Sequence, residues 1–132
     1  IAQIDALCHA QWTRDQFRDE INVSFSITLV AESGGKITGF IVVRFISPEA
    51  EILNIAVHPD ARRNGLGRSL LEGAISSLSA STDLKVFLEV REKNTTARSF
   101  YTSLGFREIS VRKNYYPDDN AVILEADFHE NK

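Results

Sequence analysis

Glu51-Ile52-Leu53-Asn54-Ile55-Ala56-Val57-His58-Pro59 runs into Arg62-Arg63-Asn64-Gly65-Leu66-Gly67-Arg68, and this stretch decides the fold. The apolar run reads as a strand, Pro59 stops it, and a cationic glycine turn follows. Beyond the turn, Leu66, Leu70, Ala74 and Leu78 recur every fourth residue, the spacing of one helical face. Gly65 and Gly67 lack a Cβ, so the backbone there can approach a ligand closely. The first N–H groups of the helix have no internal partner and carry the positive end of its dipole, which makes phosphate the natural guest. Without that context a glycine pair before a helix is only a turn.

Both common nucleotide motifs are absent. The dinucleotide fingerprint needs a third glycine where Leu70 stands, and no Gly-x-x-x-x-Gly-Lys-Ser/Thr loop occurs. The pattern that remains, Arg62-x-x-Gly65-x-Gly67 behind Ile55-Ala56-Val57-His58-Pro59, resembles the pyrophosphate-binding motif Gln/Arg-x-x-Gly-x-Gly/Ala of the GCN5-related N-acetyltransferases (GNAT). The resemblance implies acetyl-CoA as cofactor, with its pyrophosphate on the turn formed by Arg62, Arg63, Asn64, Gly65, Leu66, Gly67 and Arg68. It also implies that the strand Ile55, Ala56 and Val57 bonds the pantetheine arm.

At 132 residues the chain reads as a single domain, residues 1–132. A net charge of -3 argues against a general nucleic-acid binder, so no direct nucleic-acid partner is expected. Ten of the fifteen Lys and Arg residues nevertheless fall between Arg62 and Lys113, the segment that would meet a polyanionic cofactor; a solvated helix face accounts for some of them equally well. Cys8 is alone and reads as a small buried apolar residue, and no apolar run approaches the roughly 18 residues of a membrane span. A reducing cytoplasm and no membrane partner are expected. His9, His58 and His129 show no metal-ligand spacing, so no metal is predicted.

Ile1, Ile4, Leu7 and Cys8 fall at helical spacing and the chain contains no methionine, which predicts that it starts inside a helix with an N-terminal piece missing. Thr13 and Gln16 form a capping box for a second helix through Ile21, with Trp12 stapled on Phe17. Strands are predicted over residues 27–32 and 36–45, joined by Ser33-Gly34-Gly35 as a hairpin, and over 50–57. A helix over 66–78 and a strand over 84–90 complete a parallel strand-helix-strand unit. A helix over 94–104 ends at Gly105, and strands over 107–112 and 121–128 flank a Tyr115-to-Asn120 loop. This order predicts an α/β (α+β) protein, a mixed central sheet with helices on both faces, matching the GNAT acyltransferase fold with its first strand absent.

Acetyl transfer to an amine needs a positioned thioester, a route for the ammonium proton and a proton for the departing thiolate. A free α-amino group has a pKa of about 7.7–8.0, so a modest base suffices. In Val86-Phe87-Leu88-Glu89-Val90 the valines and the leucine share one face, and Glu89 points to the other beside Phe87. Spacing alone favours an ordinary solvated glutamate there. Asn94 and Tyr101 stand seven residues apart, two helical turns, and so project from one face. A phenol of pKa about 10 can protonate a thiolate, although a buried tyrosine satisfying its hydroxyl is the commoner case.

Phe87-Leu88-Glu89-Val90-Arg91, Asn94, Ala97, Phe100-Tyr101, Leu104-Gly105-Phe106 and Arg112-Lys113-Asn114-Tyr115-Tyr116-Pro117 resemble the ribosomal-protein-alanine N-acetyltransferases within that superfamily, the Asn-Tyr-Tyr-Pro segment most specifically. The resemblance implies Glu89 as general base, Tyr101 as general acid that also touches the cofactor, and Asn94 as a hydrogen-bonding partner of the cofactor. It implies transfer to a protein N-terminus or peptide acceptor, a ribosomal protein, by direct attack on a thioester polarised by the backbone amide near Val57, in a monomer or weak dimer. The segment from Pro117 to Ala121 is shorter than the loop that borders the acceptor groove in many members. Small-amine acetylation and a non-catalytic coenzyme A module are the alternatives; Glu89, Asn94 and Tyr101 together favour the enzyme. Glu49, Glu51, Asp118 and Asp119 are candidates to attract a cationic acceptor, or plain surface carboxylates.

Overall fold

The computed structural model describes residues 14–46, 48–58, 65–78 and 83–128. The element order is α1 (Arg14–Ile21), β1 (Ser26–Ser33), β2 (Lys36–Ile46), β3 (Glu49–Val57), α2 (Leu66–Ser77), β4 (Leu84–Arg91), α3 (Thr95–Ser103), β5 (Arg107–Tyr116) and β6 (Asp119–Phe128). The predicted opening helix, the Thr13 cap, the Trp12 staple, Cys8, His9 and His129 lie outside the described residues, as do the side chains of Gln16 and Phe17.

One six-stranded sheet runs β1-β2-β3-β4-β6-β5. All neighbouring strands are antiparallel except β3 and β4, which are parallel because α2 carries the chain back between them. The β1–β2 hairpin closes on Gly34 and Gly35 at φ 59 and 80, conformations that side-chain-bearing residues rarely adopt. Alternation in β4 is strict: Leu84, Val86, Leu88 and Val90 are buried while Lys85, Phe87, Glu89 and Arg91 are not. The main core joins that face to Leu70, Leu71 and Ala74 of α2 and to Ala97 and Tyr101 of α3. Each fully buried Ile or Leu there contributes roughly 1.5–3 kcal/mol. Gly39 lets α2 lie close, since a Cβ there would meet Ala56 O and Leu70 Cδ1 at 3.0 Å each. On the opposite face, Glu20 of α1 grips Arg44 of β2 through hydrogen bonds of 2.9 and 2.7 Å, so helices flank both faces.

Two departures from the sequence reading concern β5, β6 and α3. The predicted 115–120 loop is mostly strand: β5 continues to Tyr116, β6 starts at Asp119, and only Pro117-Asp118 turns. Its turn-forming residues build a bulge instead, where Asn114 takes φ 57 and its N–H donates to Asn120 Oδ1 at 2.8 Å. Asn94 is the N-cap of α3 and not a member of its face; its Oδ1 accepts from Ala97 N at 3.1 Å.

Candidate active site

The site begins where two parallel strands part. β3 pairs with β4 only from Glu49–Lys85 to Ile52–Leu88. β3 runs on to Val57 and β4 to Arg91, so a split opens between them. A bulge at Leu53 sets the divergence, because Val42 opposes Asn54 while Val43 opposes Ile52. Ile55, Ala56 and Val57 stay fixed on their other edge by β2, opposite Ile41, Phe40 and Gly39. Their second edge is the backbone surface that an extended pantetheine arm would need.

The chain enters α2 through Gly65, which has φ 74 and, among the described residues, no atom within 4 Å of where a Cβ would stand. Among the described residues no side chain caps this helix, and its first turn carries no acid, so its leading N–H groups present the dipole's positive end. Leu66, buried Gly67 and exposed Arg68 form that first turn. These features fit an anionic pyrophosphate. Arg62, Arg63 and Asn64 lie outside the described residues.

Glu89 sits on the face of β4 away from α2 and α3 and lines a cleft of about 570 Å³. The Tyr116 hydroxyl donates to Glu89 Oε1 at 3.3 Å. Tyr116 is itself clamped, with the Arg91 guanidinium 4.1 Å over its ring and paired to Asp118 at 2.6 Å. Sequence reasoning quoted the Asn-Tyr-Tyr-Pro segment without assigning it this task. Phe25 and Tyr115 wall the cleft, each under an arginine, Arg44 at 5.6 Å and Arg112 at 5.8 Å. Of the four carboxylates proposed to attract a cation, Glu49 and Glu51 line the cleft. Asp118 is held by Arg91, and Asp119 accepts from Lys93 N at 3.0 Å.

Tyr101 lies on the other side of β4, fully buried, its ring edge-on to Phe100 and Phe106 at 5.1 and 5.4 Å. A Schellman motif holds it: Phe106 N donates to Tyr101 O at 3.0 Å and Gly105 N to Thr102 O at 3.1 Å, with Gly105 at φ 98. Glu89 and Tyr101 therefore approach β4 from opposite faces, and Asn94 is spent in part on capping. Among the described residues no His, Cys, Asp and Glu cluster could hold a metal ion, and no helix is long and apolar enough to cross a membrane.

Comparison with known proteins places this geometry. The Acetyltransferase (GNAT) family profile matches residues 1–106. The ribosomal protein bS18-alanine N-acetyltransferase of Escherichia coli (strain K12) is 39% identical over 129 residues, spanning 92% of this chain and 84% of that protein. A crystal structure of the ribosomal-protein-S18-alanine N-acetyltransferase from Escherichia coli superposes with a TM-score of 0.78 at 32% identity, covering 93% of this chain and 81% of that one. A GNAT family acetyltransferase from Elizabethkingia anophelis with acetyl-CoA bound shares the fold at a TM-score of 0.70 and 19% identity, over 88% and 84% of the two chains. The chain belongs to the GNAT acetyltransferase family and is an N-acetyltransferase that uses acetyl-CoA.

Proposed function

We propose that the chain acetylates a protein N-terminal amine, an N-terminal alanine of ribosomal protein bS18, with Glu89 as general base and Tyr101 as general acid. The observation that carries this is Glu89 itself: a carboxylate oriented by Tyr116 in an acceptor-sized cleft, at the edge of the split between β3 and β4. The likeness to bS18-alanine N-acetyltransferases over most of both chains supports the acceptor.

Acetyl-CoA supplies, when bound, the thioester carbonyl that the amine attacks. The amides and positive dipole end at Gly65, Leu66, Gly67 and Arg68 would hold its pyrophosphate, with Arg62, Arg63 and Asn64 assigned to the same role, and Asn94 would add a contact further along. Ile55, Ala56 and Val57 present a strand edge to the extended arm, and the amide near Val57 polarises the carbonyl oxygen. Glu89 takes the proton from the entering ammonium, which frees the nitrogen lone pair for attack. Tyr101, on the other side of β4, returns a proton to the departing sulfur. The test is acetyl transfer to a panel containing a peptide with the bS18 N-terminus, peptides with other first residues and small amines such as polyamines. Preferential acetylation of the N-terminal alanine peptide is expected; transfer confined to small amines would overturn the assignment of the acceptor.

A further inference from the structure

Glu51 lines the cleft beside Glu89. In parallel register it stands opposite Phe87, and Glu89 follows two residues later on the same face of β4. Two carboxylates on adjacent strands repel unless a cation lies between them. Two cations, Arg44 and Arg112, line the same cleft, and each is also engaged with another group. Arg44, across the β2–β3 ladder from Glu51, donates hydrogen bonds of 2.9 and 2.7 Å to Glu20, whose side chain is only 7% exposed. Arg112 lies over the Tyr115 ring. Burial, more than any other influence, pushes the Glu51 carboxyl above the usual carboxylate range; Glu89 and Glu20 add to the effect, while Arg44 and Arg112 oppose it.

We propose that Glu51 is a specificity-determining residue of the acceptor site, which, with Glu89, receives the cationic amino group and so selects protonated amines over neutral nucleophiles. The proposal rests on the reading of this cleft as the acceptor site. An ammonium carries three N–H donors, so one can face Glu89 while another faces Glu51, and the apolar walls take the uncharged part of the acceptor. Glu89 then receives a proton and Glu51 keeps the amine in place while it does so.

The test is steady-state kinetics at saturating acetyl-CoA with an N-terminal alanine peptide, on wild type, Glu51→Gln and Glu51→Asp. Glu51→Gln should raise the KM for the peptide roughly tenfold with kcat changed less than about twofold and an unaltered KM for acetyl-CoA. Glu51→Asp should recover part of the loss. Salt should raise the wild-type KM more steeply than that of Glu51→Gln. As pH falls, the wild-type KM should climb where Glu51 takes up its proton, and that climb should be missing from Glu51→Gln. Arg44, Glu49, Glu89, Arg112 and Tyr115 line the same cleft and Glu20 binds Arg44, so the difference between the two profiles carries the information. An unchanged peptide KM in Glu51→Gln, or a loss confined to kcat, overturns the proposal. Failure of the wild type to acetylate any peptide is a separate result, and it overturns the acceptor reading beneath it.

Discussion

Replacing Gly65 by alanine separates backbone strain from cofactor contact. Gly65 holds φ 74, and a Cβ there meets no atom of the described residues within 4 Å. The protein therefore pays only the left-handed backbone penalty, roughly 1–2 kcal/mol for an alanine. For a domain of this size that is a fall in Tm of about 3–8 °C. On the proposed reading, that open space is where a pyrophosphate oxygen would come to reach the helix amides. A methyl group in that space displaces the anion from one charge-assisted hydrogen bond, worth about 1.5–3 kcal/mol, or roughly ten- to hundredfold in Kd. Gly35→Ala is the matched control, because Gly35 has φ 80, an equally empty surround, and a position in the distant β1–β2 hairpin. Calorimetric titration with acetyl-CoA and thermal melts on both variants should show similar losses of Tm but a weakened Kd only for Gly65→Ala. If Gly65→Ala binds within twofold of wild type while its Tm falls like that of Gly35→Ala, the turn is not the pyrophosphate cradle.

Glu89→Gln should lower kcat/KM about 10²-fold near neutral pH, with the deficit shrinking as higher pH deprotonates the amine unaided, and Tyr101→Phe should lose least with acyl donors whose thiol is more acidic. Parallel, pH-independent losses in both pH-rate profiles would assign the pair to positioning alone. Gly39→Ala should cost about 1–3 kcal/mol in urea unfolding, because its Cβ would press on Ala56 O and Leu70 at 3.0 Å, and one of those two is backbone that cannot give way cheaply. Glu20→Gln should cost about 1–2 kcal/mol at pH 7 through loss of the charge-assisted bonds to Arg44. The Arg44 hydrogen bond holds the Glu20 carboxyl below its ordinary value, so this contribution is complete above about pH 5 and fades as pH falls through the lowered folded-state value. The stabilities of wild type and variant should converge in acid; a gap that does not narrow as pH falls would contradict the ion pair.

The elements legible in the sequence were those specified locally. Apolar alternation gave β4, fourfold spacing gave α2, and the paired glycines gave a two-residue hairpin. Gly65 and Gly105 both take the positive φ that their positions before and after a helix called for. What escaped depends on residues brought together across the sheet. Tyr116 and Glu89 are 27 positions apart, and Glu20 and Arg44 are 24 apart. Only tertiary placement decides which of several similar carboxylates face the cleft, so Glu51 on β3 and Asp118 in the β5–β6 turn are indistinguishable in the sequence. The Asn114-to-Asn120 segment misled for another reason: asparagine, proline and aspartate signal a loop, yet here they form a bulge satisfied by a side chain.

The short seam between β3 and β4 divides the sheet mechanically. Four register pairs join β3 to β4, whereas eight join β4 to β6. Asn54, just past the last of those four, is buried with neither side-chain polar atom hydrogen-bonded, a further local weakness. The sheet is thus two ribbons, β1-β2-β3 and β4-β6-β5, joined along one short seam. On the proposed reading, an acyl donor in that line would bond the second edge of β3 and rest against β4, extending the short seam. Occupancy would then brace the seam: amide exchange at residues 53–57 should slow when the donor binds, before any chemistry occurs.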